Sequence, residues 1–273
     1  MNTTINLSNT SYEKTLTYTN HVSFHIKEVT ITNTYNNEKI YAKIYIPDID
    51  GKKLPAIVLS HGYNGCGDDF ETECTYFAQH GYVAVAYDFC GGSTKSRSSM
   101  PTTKMTIFTE KSDLISVFNF VKNLDYTDNS KIFLLGGSQG GFVTALAAEE
   151  LSNQVSGMIL YYPAFCIPDD WRQNLKEFKQ LPHELDFWNM KLGQDYFESV
   201  LKINTFDEIG SFPNNVLILH GNRDAIVPLK YSNKAINLYS KAHLYVIEDE
   251  EHGFSPKGVD FAKKTVINFT NKI

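Results

Sequence analysis

The sequence has little cysteine, no long apolar run and no excess of basic residues. Its four cysteines are irregularly spaced and lack a C-x-x-C pair, which argues against a disulfide framework or a zinc site and favours reduced thiols. No stretch approaches the ~18 consecutive apolar residues that span a membrane. A formal net charge of −6 argues against nucleic acid or an anionic membrane as the partner. The composition favours a small-molecule partner.

Residues 1–20 are rich in Thr and Asn and contain no apolar core of a secretion signal. We therefore expect no signal peptide and a cytoplasmic location, and we interpret this segment as a polar N-terminal extension. Hydrophobic residues make up 42% of the chain, enough for a large core, and no linker or low-complexity block interrupts it. We expect residues 21–273 to form one domain.

Apolar, strand-like runs alternate with helical patterns along most of the chain. Two period-two runs flank Asn36-Asn37 and predict an antiparallel hairpin at a sheet edge. Further on, continuous apolar runs predict strands buried on both faces, as in parallel sheets. They cover residues 56–60, 82–88, 132–135, 158–162, 216–220 and 244–247. With helical patterns at 68–80, 106–123 and 142–151 between them, they predict an α/β fold, with a mostly parallel twisted sheet and helices on both faces.

The alternation breaks between Pro163 and Phe212. This stretch shows no buried strand pattern and is amphipathic and rich in aromatic residues. It is longer than a normal connection. We interpret about 164–212 as a helical lid insertion over the carboxyl ends of the strands, where α/β folds place ligands. The alternative is an ordinary helical segment on the sheet, with aromatics that only pack.

The strongest chemical motif is the run Gly136-Gly137-Ser138-Gln139-Gly140-Gly141, which joins an apolar strand to a helical stretch of small residues. This is the strand–turn–helix context of the nucleophile elbow. Glycines flank the serine because side chains there would collide with the strand and the helix. The pattern predicts Ser138 as a nucleophile. The alternative is a passive serine in a glycine-rich turn.

A serine nucleophile needs a base, and the base needs an acid that orients it. Asp224 closely follows one predicted buried strand, and His252 follows the last one, so both are expected on the same rim as Ser138. The chain order Ser–Asp–His is that of the α/β hydrolases. We predict these three residues as a catalytic triad. For Asp224 the alternative is a turn or helix-capping role, and the carboxylates just before His252 are too close in sequence to orient it.

The negative oxygen of a tetrahedral intermediate needs two positioned donors. One candidate is the backbone N–H of Gln139, directly after the nucleophile. The other is the backbone N–H of Tyr63, in the loop that follows the 56–60 strand. The Tyr63 side chain is also a candidate pocket lining. No phosphate-binding loop or metal-ligand spacing is visible, so we expect neither a cofactor nor a metal.

These motifs together resemble the α/β-hydrolase superfamily and, within it, the bacterial cinnamoyl/feruloyl esterases with a small helical lid. The resemblance extends from about residue 25 to the C-terminus and is carried by 61–63, 87–88, 136–141, 220–224 and 251–254. Two positions depart from the family. Gly137 stands where the family commonly has His, and Cys90-Gly91-Gly92-Ser93 replaces the usual Gly-x-Gly-x-Ser order.

The resemblance implies a cofactor-free serine carboxylesterase that acts on small esters, including aryl or cinnamoyl esters, through an acyl-enzyme. In these esterases the two oxyanion amides correspond to those named above, and a lid Tyr and a lid Asp contact the hydroxyls of an aromatic acyl group. The segment Leu192–Tyr196 matches the Tyr-bearing part of the lid, so Tyr196 is the implied tyrosine. Asp169 or Asp170 is the implied acid. Family habit also suggests a homodimer.

Three alternative functions are weighed against these motifs. An amide hydrolase of the acylaminoacyl- or dipeptidyl-peptidase type needs the same triad, but no propeller domain or amine-binding acidic cluster is visible. A monoacylglycerol lipase is favoured if the lid aromatics form an open apolar groove. A ligand-binding protein on a hydrolase scaffold would be expected to have lost a triad member, and all three are present here.

Overall fold

The computed structural model of the chain describes residues 2–7 and 21–273. Eleven strands are described in these ranges: β1 (Thr3–Leu7), β2 (Phe24–Thr32), β3 (Lys39–Pro47), β4 (Leu54–Ser60), β5 (Val83–Tyr87), β6 (Thr127–Gly137), β7 (Gly157–Tyr161), β8 (Glu184–Phe187), β9 (Met190–Gly193), β10 (Asn215–Gly221) and β11 (Ala242–Ile247). The α-helices are α1 (Glu71–Gln79), α2 (Ile107–Lys122), α3 (Gln139–Leu151), α4 (Ile167–Asn174), α5 (Gln194–Lys202), α6 (Thr205–Glu208), α7 (Lys230–Ala235) and α8 (Pro256–Thr270).

Nine of these strands form one sheet in the order β1-β11-β10-β7-β6-β4-β5-β3-β2. The first seven in that order are mutually parallel, and the β2–β3 hairpin continues the sheet with antiparallel pairing. This confirms the predicted α/β fold and the edge hairpin. Parallel strands end on one side of the sheet, so the loops after β4, β6, β10 and β11 share one rim.

The sheet is buried on both faces. Alternate β4 residues point to opposite sides: Val58 packs with α2 and α3, whereas Ile57 and Leu59 pack with α1 and α8. The continuous apolar strand runs therefore reflect two separate cores, one under each helical layer. Helix α8, for which the sequence analysis makes no prediction, begins after Ser255, whose hydroxyl accepts a hydrogen bond from the Gly258 amide.

The N-terminal segment differs from its interpretation as a polar extension. Residues 3–7 form β1, which pairs in parallel with β11 at one edge of the sheet. Asn2 anchors its start, because its side chain donates to the carbonyls of Ile236 and Tyr239 and accepts from the Ala242 amide. The rest of the predicted extension, residues 1 and 8–20, lies outside the described residues.

The inserted segment contains a two-stranded hairpin in addition to the helices that the lid prediction describes. Helices α4, α5 and α6 occur within it, but β8 and β9 form a two-stranded antiparallel hairpin between α4 and α5. Its turn residues, Trp188 and Asn189, both have positive φ, at 44° and 60°. A two-residue turn with positive φ at both positions matches the twist of a hairpin and usually contains glycine. No glycine marks this turn, so its sequence signal is weak.

Candidate active site

Ser138 lies at the turn between β6 and α3, with φ 54° and ψ −122°. Such a backbone conformation is strained for a residue with a side chain and is held only by its surroundings. Here the Ser138 amide donates to the Tyr161 carbonyl at 3.0 Å, and the Ser138 carbonyl accepts from the Ala164 amide at 2.9 Å. A Cβ on Gly140 would overlap the Ser60 and His61 carbonyls, so glycine is required there.

The structure brings the three predicted triad residues together. His252 Nε2 lies 2.9 Å from Ser138 Oγ, and His252 Nδ1 lies 2.8 Å from Asp224 Oδ2. The Asp224 side chain is fully buried and that of His252 is 17% exposed. A carboxylate accepts from Nδ1–H, which leaves Nε2 free to accept the serine proton. The geometry is that of a nucleophile, a base and an orienting acid.

Asp224 is held as a carboxylate by its hydrogen bonds. Its Oδ1 accepts from the amides of Ile226 and Val227 at 2.9 and 2.8 Å, and its Oδ2 accepts from His252. His220 Nε2 also lies 3.2 Å from Oδ2. Burial alone would raise the pKa of Asp224, but the hydrogen bonds from His220, His252 and Val227 outweigh it and hold the pKa well below its usual range.

His220 is a buried supporting residue that the sequence analysis does not identify. Its Nε2 lies 2.9 Å from the Val227 carbonyl, an atom that only accepts, and its Nδ1 lies 2.8 Å from the Ser232 hydroxyl. These partners assign the proton to Nε2, where it faces Asp224 as well. His220 thus fixes the loop that carries the acid.

The two segments that carry the predicted oxyanion amides lie beside Ser138. Gln139 is the first residue of α3, where a backbone N–H has no acceptor within the helix. The loop of Tyr63 packs against Ser138, since a Cβ on Gly62 would lie 3.2 Å from Ser138 Cβ and 3.8 Å from its Oγ. Donors at the start of a helix and in an adjacent loop are a suitable arrangement for a developing negative charge.

His61 orients the peptide unit that carries the Tyr63 amide. Its Nε2 accepts from the Phe89 amide at 3.0 Å, so its Nδ1 carries the proton and donates to the Gly62 carbonyl at 2.8 Å. In a trans peptide the N–H points opposite the C=O, so fixing this carbonyl aims the Tyr63 N–H away from His61. Burial lowers the pKa of His61, which keeps the imidazole neutral in this role.

The lid hairpin is attached to this same loop. The Tyr63 hydroxyl donates to the Phe187 carbonyl at 2.7 Å, and Asn64 Nδ2 donates to the Trp188 carbonyl at 3.3 Å. The Trp188 ring stacks on Phe187 with centroids 4.7 Å apart, and its side chain is largely exposed. The side chain of Tyr63 therefore links the candidate oxyanion loop to the lid.

Of the implied substrate-binding residues, the structure places only Tyr196 next to the triad segment. Tyr196 is buried, and its hydroxyl donates to Gln139 Oε1 at 3.3 Å. Asp169 and Asp170 are exposed on α4. Within the described residues, the Asp169 carboxylate accepts from Tyr231 and Arg172 rather than from any triad residue.

Glu110 is a second buried residue that the sequence analysis does not identify. Gln139 Nε2 donates to Glu110 Oε2 at 2.8 Å, so the side chain of this candidate oxyanion residue is held between Glu110 and Tyr196. The sequence pattern of α2 does indicate that Glu110 is buried. Glu110 lies at helical spacing from Ile107 and Leu114, on the apolar face of α2.

Residues 2–7 and 21–273 contain no group of three or more His, Cys, Asp or Glu side chains placed to bind a metal ion. All four cysteines in these ranges are free thiols. No helix in the same ranges is both long and apolar enough to cross a bilayer.

The strained serine on a strand–helix turn, with an acid and a histidine from later loops of a parallel sheet, defines an α/β hydrolase. Est1E of Butyrivibrio proteoclasticus, solved with ferulic acid bound, has this fold with a TM-score of 0.80, 24% identity, and coverage of 89% of this chain and 98% of that one. The α/β hydrolase GrgF from a Penicillium species gives 0.71, 16% identity, and coverage of 91% and 97%. A Pyrococcus furiosus esterase gives 0.69, 19% identity, and coverage of 91% of both chains.

The family model for acetyl xylan esterase (AXE1) matches residues 3–173. The chain belongs to this family. The match includes the elbow and the candidate oxyanion loop and ends before Asp224 and His252. An uncharacterised Escherichia coli (strain K12) protein, YcjY, is 27% identical over 164 residues, which is 57% of this chain and 52% of YcjY. The chain therefore spans about half the length of that relative.

Proposed function

We propose that the protein is a serine carboxylesterase that hydrolyses small carboxylic esters through an acyl-enzyme. The observation that carries the proposal is the continuous hydrogen-bonded series from Ser138 Oγ through His252 to Asp224, with distances of 2.9 and 2.8 Å. Membership of an esterase family and the α/β-hydrolase fold support it.

In the first half-reaction, Ser138 Oγ attacks the acyl carbon while its proton passes to His252 Nε2. The carbonyl oxygen becomes an oxyanion and accepts hydrogen bonds from the Gln139 and Tyr63 amides. Collapse of the tetrahedral intermediate breaks the bond to the alcohol oxygen, which takes the proton from His252. In the second half-reaction, water gives its proton to His252 and attacks the acyl carbon. Collapse then returns the proton to Ser138 and releases the acid. Asp224 stabilises the imidazolium in both halves.

We propose that the acyl group of the substrate is either acetyl or an aromatic acyl group. The family name refers to acetyl esters, and Est1E was solved with ferulic acid. The lid supports an aromatic acyl group, because Trp171 contacts both Phe187 and Tyr196, and the Tyr196 hydroxyl donates to the side chain of Gln139, the residue after the nucleophile. The Tyr196 hydroxyl, which now donates to Gln139, is the group that a phenolic acyl substrate would engage.

The test is a panel of p-nitrophenyl acetate, butyrate and decanoate, methyl ferulate and an aminoacyl anilide. Wild type is assayed beside Ser138→Ala, with Ser130→Ala at an exposed position of β6 as the control. We expect ester turnover that is lost in Ser138→Ala and kept in Ser130→Ala, together with labelling of Ser138 by a fluorophosphonate. Preference for acetate or ferulate then identifies the acyl group. A folded wild type that turns over no ester, or activity that survives Ser138→Ala, would overturn the proposal.

A further inference from the structure

Tyr162 has a backbone conformation that a tyrosine rarely adopts. It directly follows β7, and its φ is 36°. Its amide donates to the Leu219 carbonyl at 2.8 Å, and the neighbouring Tyr161 and Ala164 are both hydrogen-bonded to the Ser138 backbone. The strain is thus held by the same bonds that position the nucleophile. Backbone strain of this kind clusters at functional sites.

The Tyr162 ring lies between the candidate base and the elbow. Its centroid is 4.7 Å from that of His252 and 4.7 Å from that of Phe254. Its other end reaches Gly137, where an added Cβ would lie 3.6 Å from both Tyr162 Cε2 and the hydroxyl oxygen. Because position 137 has no side chain, the phenol occupies the space beside the nucleophile.

Within residues 2–7 and 21–273, the Tyr162 hydroxyl has no hydrogen-bond partner. It is also absent from the set of fully buried polar atoms that lack a partner, so the oxygen is not fully buried. The residue is partly exposed, so solvent reaches this oxygen. Burial raises the pKa of Tyr162, and the nearby carboxylates of Glu73, Asp224 and Asp69 act in the same direction. The phenol therefore remains protonated and presents a donor to the site.

The mechanism decides which part of a substrate this donor meets. His252 must deliver its proton to the oxygen of the leaving alcohol, so that oxygen lies within hydrogen-bond reach of His252 Nε2. Tyr162 packs on the His252 ring and is therefore beside the alcohol. The acyl group, by contrast, is proposed to meet Tyr196 of the lid, whose hydroxyl donates to the Gln139 side chain.

Building on the proposed esterase function, we propose that Tyr162 is a binding residue for the alcohol part of the ester. Its hydroxyl donates a hydrogen bond to a hydroxyl or ether oxygen located about two carbons from the ester oxygen. The site therefore selects esters of alcohols that carry a further oxygen over esters of plain alkyl alcohols of the same size.

The test uses two acetates that differ by one group, 2-hydroxyethyl acetate and n-propyl acetate. Hydrolysis is followed by acid release for wild type, Tyr162→Phe and the control Tyr126→Phe. The Tyr126 hydroxyl also lacks a partner among the described residues, and it lies at the opposite end of β6 from Ser138. We expect Tyr162→Phe to lower kcat/KM for the hydroxyethyl ester by about 5- to 10-fold, the value of one hydrogen bond. Turnover of n-propyl and p-nitrophenyl acetate should stay within about 2-fold.

An equal loss on both acetates in Tyr162→Phe, or no loss on either, would overturn the assignment. So would an equal effect of Tyr126→Phe. Failure of the esterase proposal itself would give a different result. Wild type would then hydrolyse none of the three esters: 2-hydroxyethyl acetate, n-propyl acetate and p-nitrophenyl acetate. That result would remove the Tyr162 proposal with it.

Discussion

Glu110 offers a sharp test of how the site is built, because its carboxyl is buried and no cation among the described residues pairs with it. Its side chain accepts from Gln139, and Asp113, one turn further along α2, is buried as well. Burial raises the pKa of Glu110 well above its usual range; the Gln139 bond opposes this and the charge of Asp113 adds to it. Burial also raises the pKa of Asp113, to about 7. Both carboxyls are therefore neutral in the folded protein under weakly acidic conditions.

A folded pKa above the unfolded value means that the folded state retains a proton that the unfolded state releases. The stabilisation is full below the unfolded pKa of ~4.3 and is lost as pH rises towards the folded pKa. Each such group lowers the free energy of unfolding by about 1.4 kcal/mol per pH unit in that range. Glu110 and Asp113 together lower the free energy of unfolding by about 2.7 kcal/mol per pH unit in this range. Glu110→Gln should remove half of this combined dependence on pH.

The measurement is urea unfolding of wild type and Glu110→Gln between about pH 5 and pH 7, with ester hydrolysis on the same samples. Glutamine resembles the neutral carboxyl and can still accept from Gln139. The variant should therefore gain stability relative to wild type across this interval, by at most about 2.7 kcal/mol, and keep its activity within about 3-fold. Glu177→Gln, at an exposed position, is the control and should run parallel to wild type. Parallel curves for Glu110→Gln, or loss of its activity at about pH 6, would refute a neutral Glu110.

Three further outcomes follow from the site. Asp224→Asn should lower kcat on p-nitrophenyl acetate by about 10³- to 10⁴-fold with little change in KM, because His252 loses its orienting carboxylate; a loss below tenfold would contradict the triad. His61→Leu should lower kcat by at least ~10-fold at constant KM, whereas His61→Asn, which can still donate to the Gly62 carbonyl, should keep more activity. Equal kcat in the two variants would contradict this role. Tyr63→Phe keeps the amide but frees the lid hairpin, which should exchange its amide hydrogens about 5-fold faster. Unchanged exchange would mean that this bond does not hold the lid.

The triad and the sheet could be predicted because their signals are local or topological. The elbow needs glycines at set positions around Ser138, and a parallel sheet brings the loops after its strands to one rim whatever their separation in sequence. The hairpin of β8 and β9 carried a weaker signal. Its strands have only four residues each, and its turn places Trp188 where glycine is usual. The strand β1, with the sequence TTINL, is short and half polar and pairs on one side only.

The polar residues that support the site could not be identified from sequence for a different physical reason. The position of Glu110 on an apolar helix face indicates burial, but its partner Gln139 comes from another element, 29 residues away. His61 likewise takes its tautomer from the Phe89 amide, 28 residues away. A buried polar group needs a hydrogen-bond partner, but its burial does not specify which group that partner is. These partners come together only once the strands have paired. The candidate reacting residues of this site can therefore be predicted from motifs, whereas their orientation depends on buried polar contacts that only the assembled fold defines.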